Sequence, residues 1–264
     1  GWMGVDLFFV LSGFLITRVL LELREAPNRL SVFYGRRALR ILPSYFFYLL
    51  LAVTMLLLFT APKHVALTRE MLPWLLLFLQ NFHAALSDPG TNLGPLSHLW
   101  SLAVEEQFYI VFPLFAAMLA RRGRRTAALA IAVIALGSFA YSAWAAEHDA
   151  SAAFYSPLSR AWELMLGAFL ATGFITGPKN RAAADTLAAL GLAMMLFSFW
   201  WLTDASPFPG VNALMPCLGT ALVIGGTQAP DSRIARLLSQ KPLVATGLMS
   251  YSLYLWHWPL IVFG

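Results

Sequence analysis

The sequence predicts an all-α fold, a polytopic transmembrane helical bundle, and three observations carry that expectation. Nine apolar stretches fill most of the 264 residues, 59% of residues are hydrophobic against 12% charged, and the mean hydropathy is +0.68. A hydrocarbon core of about 30 Å takes roughly 20 apolar residues per helix, and so few charges fall outside the usual soluble composition. Backbone groups in lipid must be bonded within the chain, so each spanning run should be helical despite its Val, Ile and Phe content. No linker or break in composition divides residues 1–264, which read as a single membrane domain.

The runs lie at about 4–21, 41–61, 71–86, 100–120, 126–146, 158–175, 183–202, 211–228 and 243–264. The first, GVDLFFVLSGFLIT, carries Asp6 near one end, an acid that either caps a helix start or lines a wet cavity. Its Ser12-Gly13 pair suits close helix approach. The second follows the basic block RRALRILP. The third is short, holds Pro73 and runs into polar Gln80, Asn81 and His83. The fourth places Glu105 and Glu106 just inside a helix start; Tyr109 shares a face with Glu105, whereas Gln107 points elsewhere. The fifth follows RRGRR at 121–125. The sixth carries Arg160 and Glu163, three apart and able to pair. The eighth contains Cys217, the sole cysteine, which cannot form an intrachain disulfide. The ninth sets His257 among Tyr254, Trp256 and Trp258, an arrangement typical of a membrane interface.

Basic residues cluster after the first, fourth, sixth and eighth runs, whereas 147–157 and 203–210 hold none. Loops rich in Lys and Arg stay cytoplasmic. This patterning, in short blocks between apolar runs, accounts for a pI near 9.6 through topology and anionic headgroups rather than nucleic acid. If all nine runs crossed, the basic loops at 22–40 and 121–125 would lie on opposite faces. The expectation is therefore eight spanning helices plus a re-entrant or short segment at 71–86, which is tolerated where protein or water covers the backbone. Arg37 and Arg40 lie three apart on one helix face, with Arg36 on an adjoining one. Their guanidinium forks match phosphate oxygens; anchoring to lipid headgroups is the alternative.

GVDLFFVLSGFLIT, RRALRILP, HLWSLAVEEQFYIVFP, SRAWELMLG and SYSLYLWHWPL resemble, in that order, the successive motifs of the acyltransferase type 3 membrane family. Five long motifs in order cover essentially the whole chain and are far more specific than a short pattern. The resemblance implies a multi-pass enzyme of the bacterial inner membrane. Such an enzyme moves an acyl group, usually acetyl, from cytoplasmic acyl-CoA to a hydroxyl of an exported or surface carbohydrate, lipid-linked or free. Peptidoglycan, the O-antigen of lipopolysaccharide and other exported polysaccharides are the acceptor classes it implies.

By residue, the resemblance assigns Arg37 and Arg40, with neighbouring Arg36, to the donor phosphates. Asp6, Glu105 and Tyr109, at the transfer cavity, are the catalytic candidates within this chain, and Arg160, Glu163 and His257 are expected at substrate-binding positions. Glu106 is expected at the interface. RRGRR has no counterpart and reads as a headgroup anchor. Acetyl-CoA is a co-substrate; no metal and no tightly bound cofactor is implied. The family's catalytic histidine belongs to an R-x10-H pattern on a preceding helix, so it is expected upstream of Gly1, and one more helix is expected beyond the last run. A secondary transporter is the rival class, but it would show two related halves with interrupted helices, and no internal repeat is present. An inactive membrane fragment is the blander alternative.

The hairpin expectation is testable by cysteine labelling. Cysteines at Lys63 and Asp88 in a Cys217→Ser background should both react with an impermeant maleimide on intact cells; labelling of only one would mean that 71–86 crosses the membrane.

Overall fold

The computed structural model describes residues 3–59, 62–87, 94–119, 121–203, 206–229 and 231–263. Asp88, chosen above for labelling, lies outside them. In chain order the helices are α1 (Met3–Glu22), α2 (Arg29–Phe59), α3 (Pro62–Leu76), α4 (Gln80–Leu86), α5 (Trp100–Leu119, preceded by a 3-10 turn at Gly94–Leu99) and α6 (Arg124–His148). They continue with α7 (Ala150–Tyr155), α8 (Pro157–Ala171), α9 (Arg181–Trp201), α10 (Leu214–Thr227, after a 3-10 turn at Gly210–Ala213), α11 (Arg233–Leu238) and α12 (Lys241–Phe263). No strand occurs among the described residues, and the chain is a polytopic helical membrane bundle.

Among the described residues, six helices are long and apolar enough to cross a bilayer: α1, α2, α5 with its leading turn, α6, α9 and α10 with its leading turn. The run at 158–175 yields only the 15 residues of α8, about 22 Å of helix and short of a hydrocarbon core of about 30 Å. It starts on Ser156, whose hydroxyl accepts from the Leu158 amide, with Pro157 in the first turn where its missing N–H costs nothing. It ends before Gly173, which adopts a φ of 64°. The second run is longer than its apolar stretch: α2 begins at Arg29 because the basic block continues the helix, and Pro43 is absorbed inside it. The surface is apolar where lipid would lie, as at Leu50, Leu58, Val133, Leu196 and Trp200.

The 71–86 segment is broken. α3 stops at Leu76, Phe78 takes a left-handed φ of 54°, and α4 starts at Gln80. The break is covered by protein. Tyr45 of α2 donates to the Leu75 carbonyl at 2.9 Å, and its ring stacks on Phe78 at 4.4 Å. Gln107 of α5 donates to the Phe78 carbonyl at 2.9 Å and to Asn81 Oδ1 at 2.8 Å. Side chains thus satisfy backbone that a helix would otherwise satisfy, which is what irregular chain at membrane depth requires. At its far end α4 returns to the α7 turn, where Ser151 donates to the Ala85 carbonyl. Together α3 and α4 have the geometry of a re-entrant hairpin that reaches Tyr45 and comes back.

This geometry also resolves the charge pattern. Arg24 and Arg29, beyond α1, line the same cavity as Arg122 and Arg124, beyond α5, so both basic loops lie at one end of the bundle. The opposite end gathers the α6–α7 junction and residues 207–210, with Phe154 beside Phe208.

α1 runs through the middle and packs tightly on α8. At the crossing, a Cβ on Gly13 would collide with the Leu164 carbonyl, and one on Gly167 with the Val10 carbonyl. Small residues bring the two backbones into contact, the usual device where lipid supplies no hydrophobic drive between helices. Gly13→Ala or Gly167→Ala should therefore lower stability by about 1–3 kcal/mol through overpacking, measured as a reduced melting temperature in detergent. Gly35→Ala, where an added Cβ meets nothing within 4 Å, should not.

Candidate active site

Two buried polar clusters sit on α1, one above the other. The first lies toward the end that carries α7. Arg160 of α8 donates from Nη2 to Asp6 Oδ1 at 2.9 Å, and its Nη1 lies 3.1 Å from Glu163 Oε1. All three side chains are fully buried. One guanidinium therefore serves two carboxylates, and it is enclosed by the rings of Phe9, Trp100, Phe154 and Phe208, each centroid 5.5–5.8 Å from Cζ. Such rings stabilise a cation by their negative faces and exclude water. Asp6, Glu163 and Cys217 bring ligand-type atoms within 4.8 Å of one another, but the cation that pairs with both acids is Arg160 itself.

The second cluster lies further along α1. Ser12 and Tyr109 both donate to Glu105 Oε1 and also touch each other. Glu105 and Tyr109 come from α5 on the shared face that their spacing predicts. The Arg37 guanidinium reaches in from α2 to lie 5.3 Å from the Tyr109 ring and 6.0 Å from that of Phe33. Here an acid, two hydroxyls and a cation meet inside the bundle at the level where α2, α1 and α5 converge.

Of the other predicted positions, Arg36 and Arg40 are exposed on the α2 surface beside Arg37. Glu106, expected at the interface, is half-buried with Oε1 shielded from solvent. Asp6 is not a helix cap: it stands in the first turn of α1 and its partner is Arg160. His257 is exposed, with Nδ1 2.6 Å from the Tyr254 carbonyl and its ring 5.5 Å from that of His98. Tyr254 in turn donates to the His98 carbonyl at 2.6 Å and meets Ser101 at 2.5 Å. His83 is buried beside Trp74 and lies 3.7 Å from Glu70.

Sequence reasoning did not foresee that Asp6 and Arg160 pair across 154 positions, nor that Ser12 belongs to the Glu105 cluster. A signal for the first existed. An acid in an apolar run demands a cation, and Asp6 and Arg160 stand near the same ends of their respective runs once the charge rule has oriented them.

A helical bundle with charged and hydroxyl-bearing side chains gathered at membrane depth is an integral membrane protein built around an internal polar site. The chain belongs to the acyltransferase type 3 family, whose sequence model, described as an acyltransferase domain, matches residues 2–263. It is 30% identical over 282 residues to the O-acetyltransferase OatA of Staphylococcus aureus (strain NCTC 8325 / PS 47), an alignment covering 100% of this chain and 46% of that protein. It is also 30% identical over 285 residues to the putative peptidoglycan O-acetyltransferase YrhL of Bacillus subtilis (strain 168), covering 99% of this chain and 44% of the relative. The chain thus spans less than half the length of these relatives. No solved structure matches it.

Removing Arg160 would strand two buried carboxylates. Arg160→Met should destabilise the protein by about 3–5 kcal/mol, measured as loss of monodisperse protein after a heat challenge. Asp6→Asn, which leaves the Arg160–Glu163 pair in place, should cost less.

Proposed function

We propose that this protein is a membrane O-acyltransferase that takes an acetyl group from acyl-CoA at its basic, cytoplasmic end and delivers it to a hydroxyl of an extracytoplasmic carbohydrate. Peptidoglycan is the acceptor class that the B. subtilis relative's name suggests. The observation that carries the reading is the buried Ser12–Glu105–Tyr109 cluster with Arg37 against it.

The net reaction exchanges a thioester for an ester. The acyl carbon gains a bond to the acceptor oxygen and loses its bond to the CoA sulfur, and the hydroxyl proton ends on the thiol. Glu105, accepting from both the Ser12 and Tyr109 hydroxyls, fixes the polar cluster, and the Arg37 guanidinium beside it is the donor that can face the acyl carbonyl without reorganising, which is where enzymes gain most electrostatically. Arg37 contributes a rigid cationic fork next to this cluster, and Arg36 and Arg40 extend the charge to the surface for the donor's phosphates. Asp6, Arg160 and Glu163 shape the acceptor side by fixing α1 to α8.

The test is acetyl transfer from radiolabelled acetyl-CoA to a glycan acceptor in proteoliposomes. Glu105→Gln and Tyr109→Phe should each lower transfer by about 10²-fold. Arg37→Lys or Arg40→Lys, which keeps charge but loses the fork, should weaken acyl-CoA binding by about 1–3 kcal/mol, while Arg124→Lys should do little. Equal small effects at all three arginines would mark them as headgroup anchors and remove the donor assignment.

A further inference from the structure

The RRGRR block is left without a role by the reaction, and the structure places part of it on a cavity. Between the lower ends of α1, α2, α5 and α6 lies a space of about 310 Å³. Four arginines line it: Arg24, Arg29, Arg122 and Arg124. Its walls are otherwise mostly aliphatic and aromatic, including Leu20, Leu30, Phe112, Phe115 and Ile131. Arg37 and Arg40 are not among the lining residues, so this basic group is separate from the one assigned to the donor.

We propose that this cavity binds an anionic phospholipid of the cytoplasmic leaflet, with the phosphate among the arginines and an acyl chain along the apolar walls. Three observations favour a lipid. First, the arginines are underused within the chain. Arg24 pairs with neighbouring Glu25 at 3.0 Å, but no carboxylate among the described residues pairs with Arg29, Arg122 or Arg124.

Second, the wall offers little to a polar ligand. Its threonine hydroxyls are already committed, Thr17 to the Gly13 carbonyl at 2.7 Å and Thr172 to the Phe169 carbonyl at 2.6 Å. A hydrocarbon chain needs no partners there, whereas the amide carbonyls of a pantetheine arm would meet no free hydroxyl donor on that wall, at the usual cost of unpaired buried groups.

Third, the position is right. The end of the bundle with the dense basic loops is the cytoplasmic one by the charge rule, and that leaflet carries the anionic lipids. Leu21, which lines the cavity, is an exposed leucine, so the space opens at an apolar part of the bundle's surface. α6 also begins at this rim without a side-chain cap, leaving its first amide groups for the same anion.

The test uses the full chain purified in neutral detergent and native mass spectrometry with phosphatidylglycerol or phosphatidylcholine of identical acyl chains. The wild type should retain phosphatidylglycerol and not phosphatidylcholine. The double variant Arg122→Ala/Arg124→Ala should bind phosphatidylglycerol about tenfold more weakly. Ala116→Trp, which fills the cavity and keeps every arginine, should do the same. Arg122 and Arg124 are exposed, so the double variant should keep the wild-type melting temperature and remain informative even if Ala116→Trp does not fold. Equal retention of both lipids, or an unaffected double variant, would overturn the proposal in favour of diffuse headgroup contact. Displacement of bound phosphatidylglycerol by free coenzyme A or by inorganic phosphate would overturn it too, and would assign the cavity to the donor or to a simple anion.

Discussion

The seating of α1 on α8 sets the rest of the arrangement. Gly13 and Gly167 bring the two backbones into contact, and about two turns toward the helix start Asp6 closes on Arg160. Neither feature suffices alone. Close packing of small residues permits several registers between two helices, whereas a buried ion pair tolerates only the one that joins its partners, and leaving either charge bare would cost several kcal/mol. Once α1 is fixed, Ser12 is presented to α5, and the helix bearing Glu105 and Tyr109 has a polar partner at the correct height. α8 is short because it does not need to cross by itself: it is wedged between α1 and α6, with Ser138 of α6 donating to the Leu158 carbonyl at 2.5 Å and accepting from the Trp162 amide at 2.9 Å.

The same logic of satisfying polar groups internally explains the re-entrant hairpin. Stopping a helix at membrane depth releases carbonyls and amides that lipid cannot serve. Tyr45 and Gln107 take over those bonds from two different helices, so the hairpin is tied to both α2 and α5. Gln107 is adjacent in sequence to the acidic pair, and its engagement with Phe78 and Asn81 turns the neighbouring Glu105 toward α1. The hairpin is in this sense part of what orients the candidate site, although none of its residues enters it.

Much of the bundle was legible in the sequence because lipid imposes a length and an apolarity on every crossing. The runs match helices to within a few residues, except at 71–86, which is split between α3 and α4, and where helix continued beyond the apolar stretch, as at 29–40, or stopped within it, as at Ala171. The short helices α7 and α11 left no trace in hydropathy; they start on the Asp149 and Ser232 side chains, each accepting from an amide three residues on. The polar run Gln80, Asn81 and His83 did betray the hairpin. For the site, the shared face of Glu105 and Tyr109 followed from local helical periodicity. Ser12, Arg37 and the Asp6–Arg160 pair did not come together by any such rule, since those contacts join residues 72 to 154 positions apart and depend on which helices are neighbours. The cavity rimmed by RRGRR was invisible for the same reason.

The two polar clusters differ in what they have left to offer a substrate. Asp6 and Ser12 are six residues apart, so the clusters are separated by about 9 Å along α1. Between them Phe9 is fully buried and meets Trp100 edge to face at 6.5 Å. Arg160 is already engaged by two acids and four rings, and rearranging it to grip a sugar would break the contact that holds α1 in register. Its chemistry is therefore spent on architecture. Glu105, by contrast, is bonded only by two hydroxyls whose own oxygens can still accept, and the neighbouring Arg37, whose N–H groups can donate, meets ring faces and no carboxylate among the described residues. A site whose polar groups are held in place with a donor beside them is the one that can receive a developing charge, and this difference is what supports the proposal that the reaction belongs to the Ser12–Glu105–Tyr109 level, with the Asp6–Arg160–Glu163 level as its support.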